Sequence, residues 1–400
     1  MHVRWTLALA NFLSVGHFYL VTYILGPYLG TMLPAEYVGL VVAVGAVVTL
    51  LIFPHVPAIL RRVSVRRFAI IVGLIQTSLF STLVLFPIPT VALVAVALTG
   101  ALSPFIAYAL DLLLEATMQS ESVTGKVRTA FLTAGNIPLL AAPIIIALLL
   151  DGGAEYSRVF TAAALSLVPF IVLMSLTRIP EAEPPRYHRL RDVFRCAMGN
   201  SDLRGTFLAN FVLQVFYHLA PLYISLYLFT VVGIPWDTLG WMFAVMLIPF
   251  VLIEYPAGVE ADRHGDRNLM ALGFLTTGSA FALVGFLSIG SSLLLVLTIL
   301  VISRIGAALV EAMTEGHFFR SVTDRDPTTV ELFRMMRPVA ALISPLLGSV
   351  LLYFGGYLTL FLVSGILISV LGLYASFSIR NVCCREAENA PIEARPIPLS

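Results

Sequence analysis

Three charged residues form a stripe on an otherwise apolar stretch: Arg304, Glu311 and Glu315. On a helix they fall within about 20° of one face, and Arg304 and Glu311 stand about 10 Å apart along the axis. That is too far for a close ion pair. The Arg304 guanidinium therefore needs a counter-charge on another element or in a bound anion. Recognition of an anionic group, proton coupling and a structural ion pair all fit this arrangement.

Neutral polar residues repeat the theme. Asn210, Gln214 and His218 occur at i, i+4 and i+8, with Tyr217 beside them, in a long apolar run. His17 follows Asn11 in a second run, and an imidazole titrates near neutral pH. Glu254, two residues before Pro256, is a further deep acid. Such side chains can bind a solute or carry a proton, or they can serve as hydrogen bonds between helices. The chain has no G-x-x-x-x-G-K-[ST] stretch for nucleotide phosphates, no HExxH and no Cys/His cluster, so neither metal nor cofactor is expected.

The elements that must position these residues are membrane helices. Of the 400 residues, 59% are hydrophobic and 12% charged, against about 25% charged in soluble domains. Mean hydropathy is +0.94. A crossing takes about 20 mostly apolar residues, and backbone groups in lipid must be satisfied within helices or closed barrels. The apolar runs here are continuous rather than alternating, which selects helices.

Twelve spans can be read: 5–29, 36–60, 68–86, 90–117, 129–150, 157–177, 204–231, 237–260, 268–289, 291–317, 330–354 and 356–379. Pro87-Ile88-Pro89, Asp151-Gly152-Gly153, Gly290-Ser291-Ser292 and Gly355-Gly356 separate the tight pairs. Of 24 Lys and Arg, 22 then fall on one side; Arg158 lies opposite and Arg304 lies inside a span. The positive-inside rule puts that side, with both termini, in the cytoplasm, and a plasma (inner) membrane location is expected. The first span reads as an uncleaved anchor rather than a signal peptide. Cys196, Cys383 and Cys384 map to the cytoplasmic side, so no structural disulfide is expected. The arginines serve topology, and the net charge of +1 gives no sign of a nucleic-acid partner.

The longest polar stretch, EAEPPRYHRLRDVFR, divides the spans six and six. The expected organisation is a six-helix bundle over 1–177, a cytoplasmic linker over 178–203, a second bundle over 204–380 and a cytoplasmic tail over 381–400. The halves echo each other. Ala10-Asn11-Phe12 recurs as Ala209-Asn210-Phe211, each followed within two turns by a histidine, His17 and His218. Asp111 and Glu115 near the end of span 4 match the i, i+4 spacing of Glu311 and Glu315 in span 10. Parallel repeats of this kind place a substrate site near the bilayer midplane between the halves.

Between spans 8 and 9 the chain reads YPAGVEADRHGDR. Gly258, Asp262, Arg263, Gly265 and Arg267 match a loop pattern, G-x-x-x-D-R-x-G-R-[RK], and in this the sequence resembles the major facilitator superfamily. Asp266 stands where an Arg is usual, and after span 2 the pattern is reduced to four arginines in PHVPAILRRVSVRR. The resemblance covers about residues 5–380. It implies an all-α polytopic fold of two pseudo-symmetric six-helix bundles, with spans 1, 4, 7 and 10 around a central cavity. It also implies that the loop residues join Asp111, Glu115, Glu311, Glu315, Arg334 and Arg337 in a cytoplasmic gate. In that family an intramembrane Arg is usual in helix 4 rather than helix 10. The antiporter pattern G-P-x-x-G-G is absent from span 5, and the signatures of sugar porters are missing as well.

The expected function is secondary transport of a small organic solute by alternating access, coupled to protons in one version, by a monomer in the lipid bilayer. Efflux of hydrophobic compounds is the alternative within transport. A non-transporting receptor-like protein and a membrane-embedded enzyme are the alternatives outside it. The outer loops are too short for the clustered acids or histidines such enzymes need, so no enzymatic activity is expected.

Overall fold

The computed structural model describes residues 2–117, 121–177, 179, 201–321 and 327–380. Every regular element among them is helical. Most of the 178–203 linker and the 381–400 tail lie outside the described residues. Span 1 is His2–Thr22 with a short continuation, Leu25–Gly30. Span 2 is Ala35–Ile52, carried on through Phe53–His55 and Val56–Leu60. Spans 3 to 6 are Val65–Leu85, Pro89–Ala116, Glu121–Leu150 and Tyr156–Leu176. Span 7 comprises Ser201–Leu219, a π-helical turn over Ala220–Ile224, and Ser225–Thr230. Span 8 comprises Trp236–Met246 and Ile248–His264, and spans 9 and 10 are Asp266–Val284 and Leu293–Ser321. Spans 11 and 12 form one stretch, Pro327–Ser378, broken at Gly356, whose φ of 67° and ψ of −169° lie outside any helix.

Among the described residues, nine stretches are long and apolar enough to cross a bilayer. One of them, Phe333–Ser378, has 46 residues, about twice what one crossing takes, and the Gly356 break divides it. With His2–Thr22 and Asp266–Val284 added, the pattern agrees with twelve spans. The chain is an integral membrane protein.

The distribution of side chains is that of a protein solvated by lipid. Leu51, Leu148, Leu176, Leu252, Leu294 and Phe354 are exposed on the helix exteriors, while Asn11, His17, Gln76, Asn210, Gln214, Arg304 and His317 are buried. Apolar surface of this extent on a water-soluble protein would drive association; against acyl chains it costs nothing. The polar groups turn inward because lipid cannot hydrogen-bond them.

Proline sets the interruptions. Pro27 has no N–H for the carbonyl of Tyr23, and span 1 breaks at Tyr23-Ile24. Pro221 lies inside the π turn of span 7, a usual place for helices to absorb a misfit. Pro249 opens the second helix of span 8, after the break at Leu247.

Two compact units result, one of residues 1–187 with 221–244, the other of residues 188–220 with 245–400. In the first, span 1 packs on spans 4, 5 and 6, span 3 on spans 4 and 6, and span 2 on span 4. The outer part of span 7 belongs here as well: Ser225–Thr230 packs on Leu25–Gly30. A Cβ on Gly26 would overlap the Leu222 carbonyl, and one on Gly240 would overlap the Pro143 carbonyl, so glycine is what lets these backbones meet. In the second unit, Ser201–Leu219 packs on span 10 and on Pro327–Ser378; span 9 packs on the same two, and Ile248–His264 packs on span 10. The pairings of spans 2 to 4 with their neighbours recur six spans later. The repeat seen in short sequence echoes is therefore a repeat of packing.

Candidate functional site

In the first unit most of the buried polar groups lie on spans 1, 3 and 4. His17 is held through Nδ1 against the Ser14 carbonyl, with Nε2 3.3 Å from Ser103 Oγ. Gln76 Nε2 donates to the same Ser103 Oγ at 3.0 Å and to the Thr99 carbonyl at 2.9 Å. The Phe80 ring meets His17 edge-on, with centroids 5.9 Å apart. Asn11 lies nearer the start of span 1, and its Nδ2 donates to the Phe131 carbonyl of span 5 at 2.9 Å. A Cβ at Gly135 would collide with that amide, so the glycine makes room for it.

The second unit repeats the Asn11 contact. Asn210 Nδ2 donates to the Phe333 carbonyl at 2.9 Å, again from the Ala-Asn-Phe triplet to a phenylalanine 12 residues ahead of a proline, Pro143 in one half and Pro345 in the other. Gln214 Nε2 reaches Asn210 Oδ1 at 3.4 Å, and His218 Nδ1 stands 2.7 Å from the Gln214 carbonyl. The stripe on span 7 thus faces protein rather than lipid.

Span 10 supplies the charges. Arg304 is 3% exposed, and its guanidinium carbon lies 4.9 Å from the centroid of Phe216 on span 7. Such a stack is worth about 2 kcal/mol when desolvated. Two turns along, Tyr217 Oη donates to Glu311 Oε2 at 2.5 Å. Glu315 is exposed. Phe216–Tyr217 on one helix and Arg304–Glu311 on the other are therefore matched pairs, one aromatic for each charge.

A second charged cluster occupies the loop end of the same unit. His317 Nδ1 lies 3.0 Å from Asp266 Oδ2, and Nε2 lies 3.2 Å from Asp202 Oδ1. The imidazole is fully buried. Asp202 Oδ1 also accepts the Arg380 backbone N–H at 2.6 Å. Beside it, Phe207, Phe318 and Phe333 form an aromatic core with Leu203 and Met336 packed on it, the Phe318 and Phe333 rings stacked at 4.0 Å.

Residues 205–382 match the model of the Major Facilitator Superfamily. The nucleoside transporter NupG superposes with a TM-score of 0.69 at 15% identity, covering 95% of this chain and 100% of that one. A variant of the same transporter gives 0.72 at 14% identity, covering 94% and 98%. The human organic anion transporter MFSD10 (TETRAN) gives 0.62 at 15% identity, covering 94% and 99%. The chain carries the major facilitator fold. No curated protein sequence matches it.

The 8–9 loop of this major facilitator fold turns at a glycine. Gly265 has φ 83° and ψ 164°, a conformation reserved for glycine, and it ends one helix and begins the next. Arg267 turns its guanidinium over the Phe377 ring of span 12 at 4.7 Å. At Gly258, a Cβ would meet nothing within 4 Å. The side chains of Asp262, Arg263 and Glu254 lie outside the described residues. Asp111, Arg334 and Glu311 are half-buried, while Glu115, Glu315 and Arg337 are exposed.

Sequence reasoning missed the Asp202–His317–Asp266 cluster, and Gln76 with Ser103. Asp266 carried a signal: it is an acid where the superfamily pattern has a base, and a buried acid requires a donor. His317 carried none, since a histidine near a helix end is ordinary.

Proposed function

We propose that the chain is a secondary transporter that moves a small organic solute bearing an anionic group by alternating access. Arg304 is the residue that recognises the anion. The observation that carries this reading is the setting of Arg304: buried in span 10, stacked on Phe216, and on one helix face with Glu311. A charge at mid-membrane depth costs about 2.5–3.5 kcal/mol on insertion scales, and residues kept at that cost normally serve a pathway. A buried guanidinium has the planar fork that suits a carboxylate or phosphate. The likeness to structures named for nucleoside and organic anion transport supports an organic solute. Glu311, held by Tyr217 on the same stripe, is the group through which protons couple to the cycle. Residues 1–177 and 204–380 form the two bundles of this transporter, and both termini lie in the cytoplasm.

The test is counterflow in proteoliposomes with a panel of organic anions, neutral nucleosides serving as controls, at several pH values. Arg304→Ala is expected to abolish anion counterflow. Arg304→Lys keeps the charge but loses the planar fork, and should lower transport about tenfold while folding is retained, roughly 1.4 kcal/mol. If Arg304→Ala transports normally at every pH and only loses thermal stability, the residue is a structural member and the reading fails.

A further inference from the structure

The cluster at the loop end of the second unit stands apart from the Arg304 site. His317 is 13 residues further along span 10, about 20 Å at the helical rise, and its chemistry does not depend on transport. Both ring nitrogens face carboxylate oxygens, at 3.0 and 3.2 Å. An ionised carboxylate can only accept, and a neutral imidazole has one N–H and one lone pair. One of the two contacts would then set a lone pair against a carboxylate inside the protein, where such an unmatched polar contact is costly. The geometry therefore requires one proton beyond those of a neutral imidazole and two carboxylates. That proton can formally be written on the ring or on an aspartate; the count is the same.

Water cannot supply the missing donor. The imidazole and Asp266 side chains are wholly buried, and the Asp202 side chain nearly so. The packed elements carry Arg204 on span 7, Glu260 on span 8, Arg267 on span 9, Arg304, Glu311, Glu315 and Arg320 on span 10, Glu331, Arg334 and Arg337 at the start of span 11, and Arg380 after span 12; the side chains of Arg320 and Glu331 lie outside the described residues. Arg204, Arg337 and Glu315 are exposed, and Arg267 is turned onto Phe377. Asp202 and Asp266 are the groups placed directly against the ring.

The positions joined are telling. Asp202 opens span 7 directly after the linker, and Asp266 opens span 9 directly after the Gly265 turn. The Arg380 N–H comes from the last residue before the tail. Three connections of the unit thus meet at one imidazole. We propose that Asp202, His317 and Asp266 form a buried proton-binding site whose single bound proton ties together the ends of spans 7, 9, 10 and 12. Loss of the proton leaves a buried carboxylate facing a lone pair, and the 8–9 loop and the start of span 7 loosen together. The site turns alkaline pH into a loosening of the loop end of this unit.

The experiment compares the purified full chain with His317→Gln, following SDS-induced unfolding between pH 6 and pH 10. A solvated imidazole gives up its proton near pH 6.5, and the folded cluster holds its proton to higher pH. The stability advantage of the native chain over His317→Gln is therefore complete below about pH 6.5. It should shrink about tenfold in equilibrium constant per pH unit above that, until the folded cluster also lets go. An advantage that stays constant between pH 6.5 and pH 9 overturns the proposal. Hydrogen exchange of the native chain gives a second reading that needs no variant to fold. Corrected for intrinsic exchange rates, peptides over 201–206 and 266–272 should lose protection with rising pH, while Val65–Leu85 of the first unit keeps its own. Equal behaviour of the two regions also overturns the proposal.

Discussion

Tyr217→Phe removes a single oxygen and keeps the ring, so its effect isolates one contact between spans 7 and 10. The lost hydroxyl donates to Glu311 Oε2 at 2.5 Å, and both side chains are half-buried. The ring's contact with Phe250, centroids 6.0 Å apart, survives the change. Hydrogen bonds to charged groups are worth about 1.5–3 kcal/mol in water-soluble proteins. Between membrane helices, measured couplings average about 0.6 and reach about 1.7 kcal/mol. A short bond to a half-buried carboxylate belongs near the top of the membrane range, about 1.5 kcal/mol. Glu311→Leu removes the acceptor, so the pair can be closed into a double-mutant cycle followed by SDS unfolding of the purified chain. Tyr217→Phe should cost about 1.5 kcal/mol in the native background and less than about 0.5 kcal/mol beside Glu311→Leu. If the two changes add to within about 0.5 kcal/mol, the hydroxyl and the carboxylate are not coupled. The polar face shared by spans 7 and 10 would then rest on packing alone.

Gly240→Val should destabilise by at least about 1–3 kcal/mol, because its side chain has no room beside the Pro143 carbonyl and Ala147; thermal unfolding in detergent reads this. Gly258→Ala, with open space around the added Cβ, should be neutral or slightly stabilising in the same assay, because alanine is the better helix former. A cysteine introduced at Ser64 should react with an impermeant reagent only from the cytoplasmic side, and labelling from outside intact cells would reverse the orientation. Asp262→Asn should shift cysteine accessibility between the two faces and slow transport without loss of insertion. Unchanged accessibility with normal transport would remove the loop from the gate.

Much of the fold was legible because a membrane helix is specified almost entirely by local composition. Twenty apolar residues and a breaker suffice, and Gly355-Gly356 marked the turn that the backbone makes at Gly356. The internal repeat was visible in the Ala-Asn-Phe triplets, since Asn11 and Asn210 play the same part in each half and a shared part keeps a shared residue. The partners of those amides, Phe131 and Phe333, were not legible: a backbone carbonyl leaves no trace in the identity of its residue. Arg304, Glu311, Gln214 and His218 stood out because polar groups are rare in such runs, and the structure places each against protein. His317 escaped notice because its two acids lie 115 and 51 residues away. Only the packing of three helix ends brings them to one ring, and no local pattern encodes that.

The polypeptide passes from one compact unit to the other twice within membrane helices, at 220/221 beside the π turn of span 7 and at 244/245 beside the break at Leu247. The long polar linker is therefore one of three places where the chain crosses between these units. Cutting the chain there would sever the covalent order of the halves and still leave residues 221–244 built into the first unit. An amino-terminal fragment ending in the linker would lack those two helices, leaving the small-residue surfaces at Gly26 and Ala147 without the backbones that fit them. An amino-terminal fragment ending in the linker should accordingly be unstable when made alone and should co-purify with the carboxy-terminal fragment, which carries the segment that completes it.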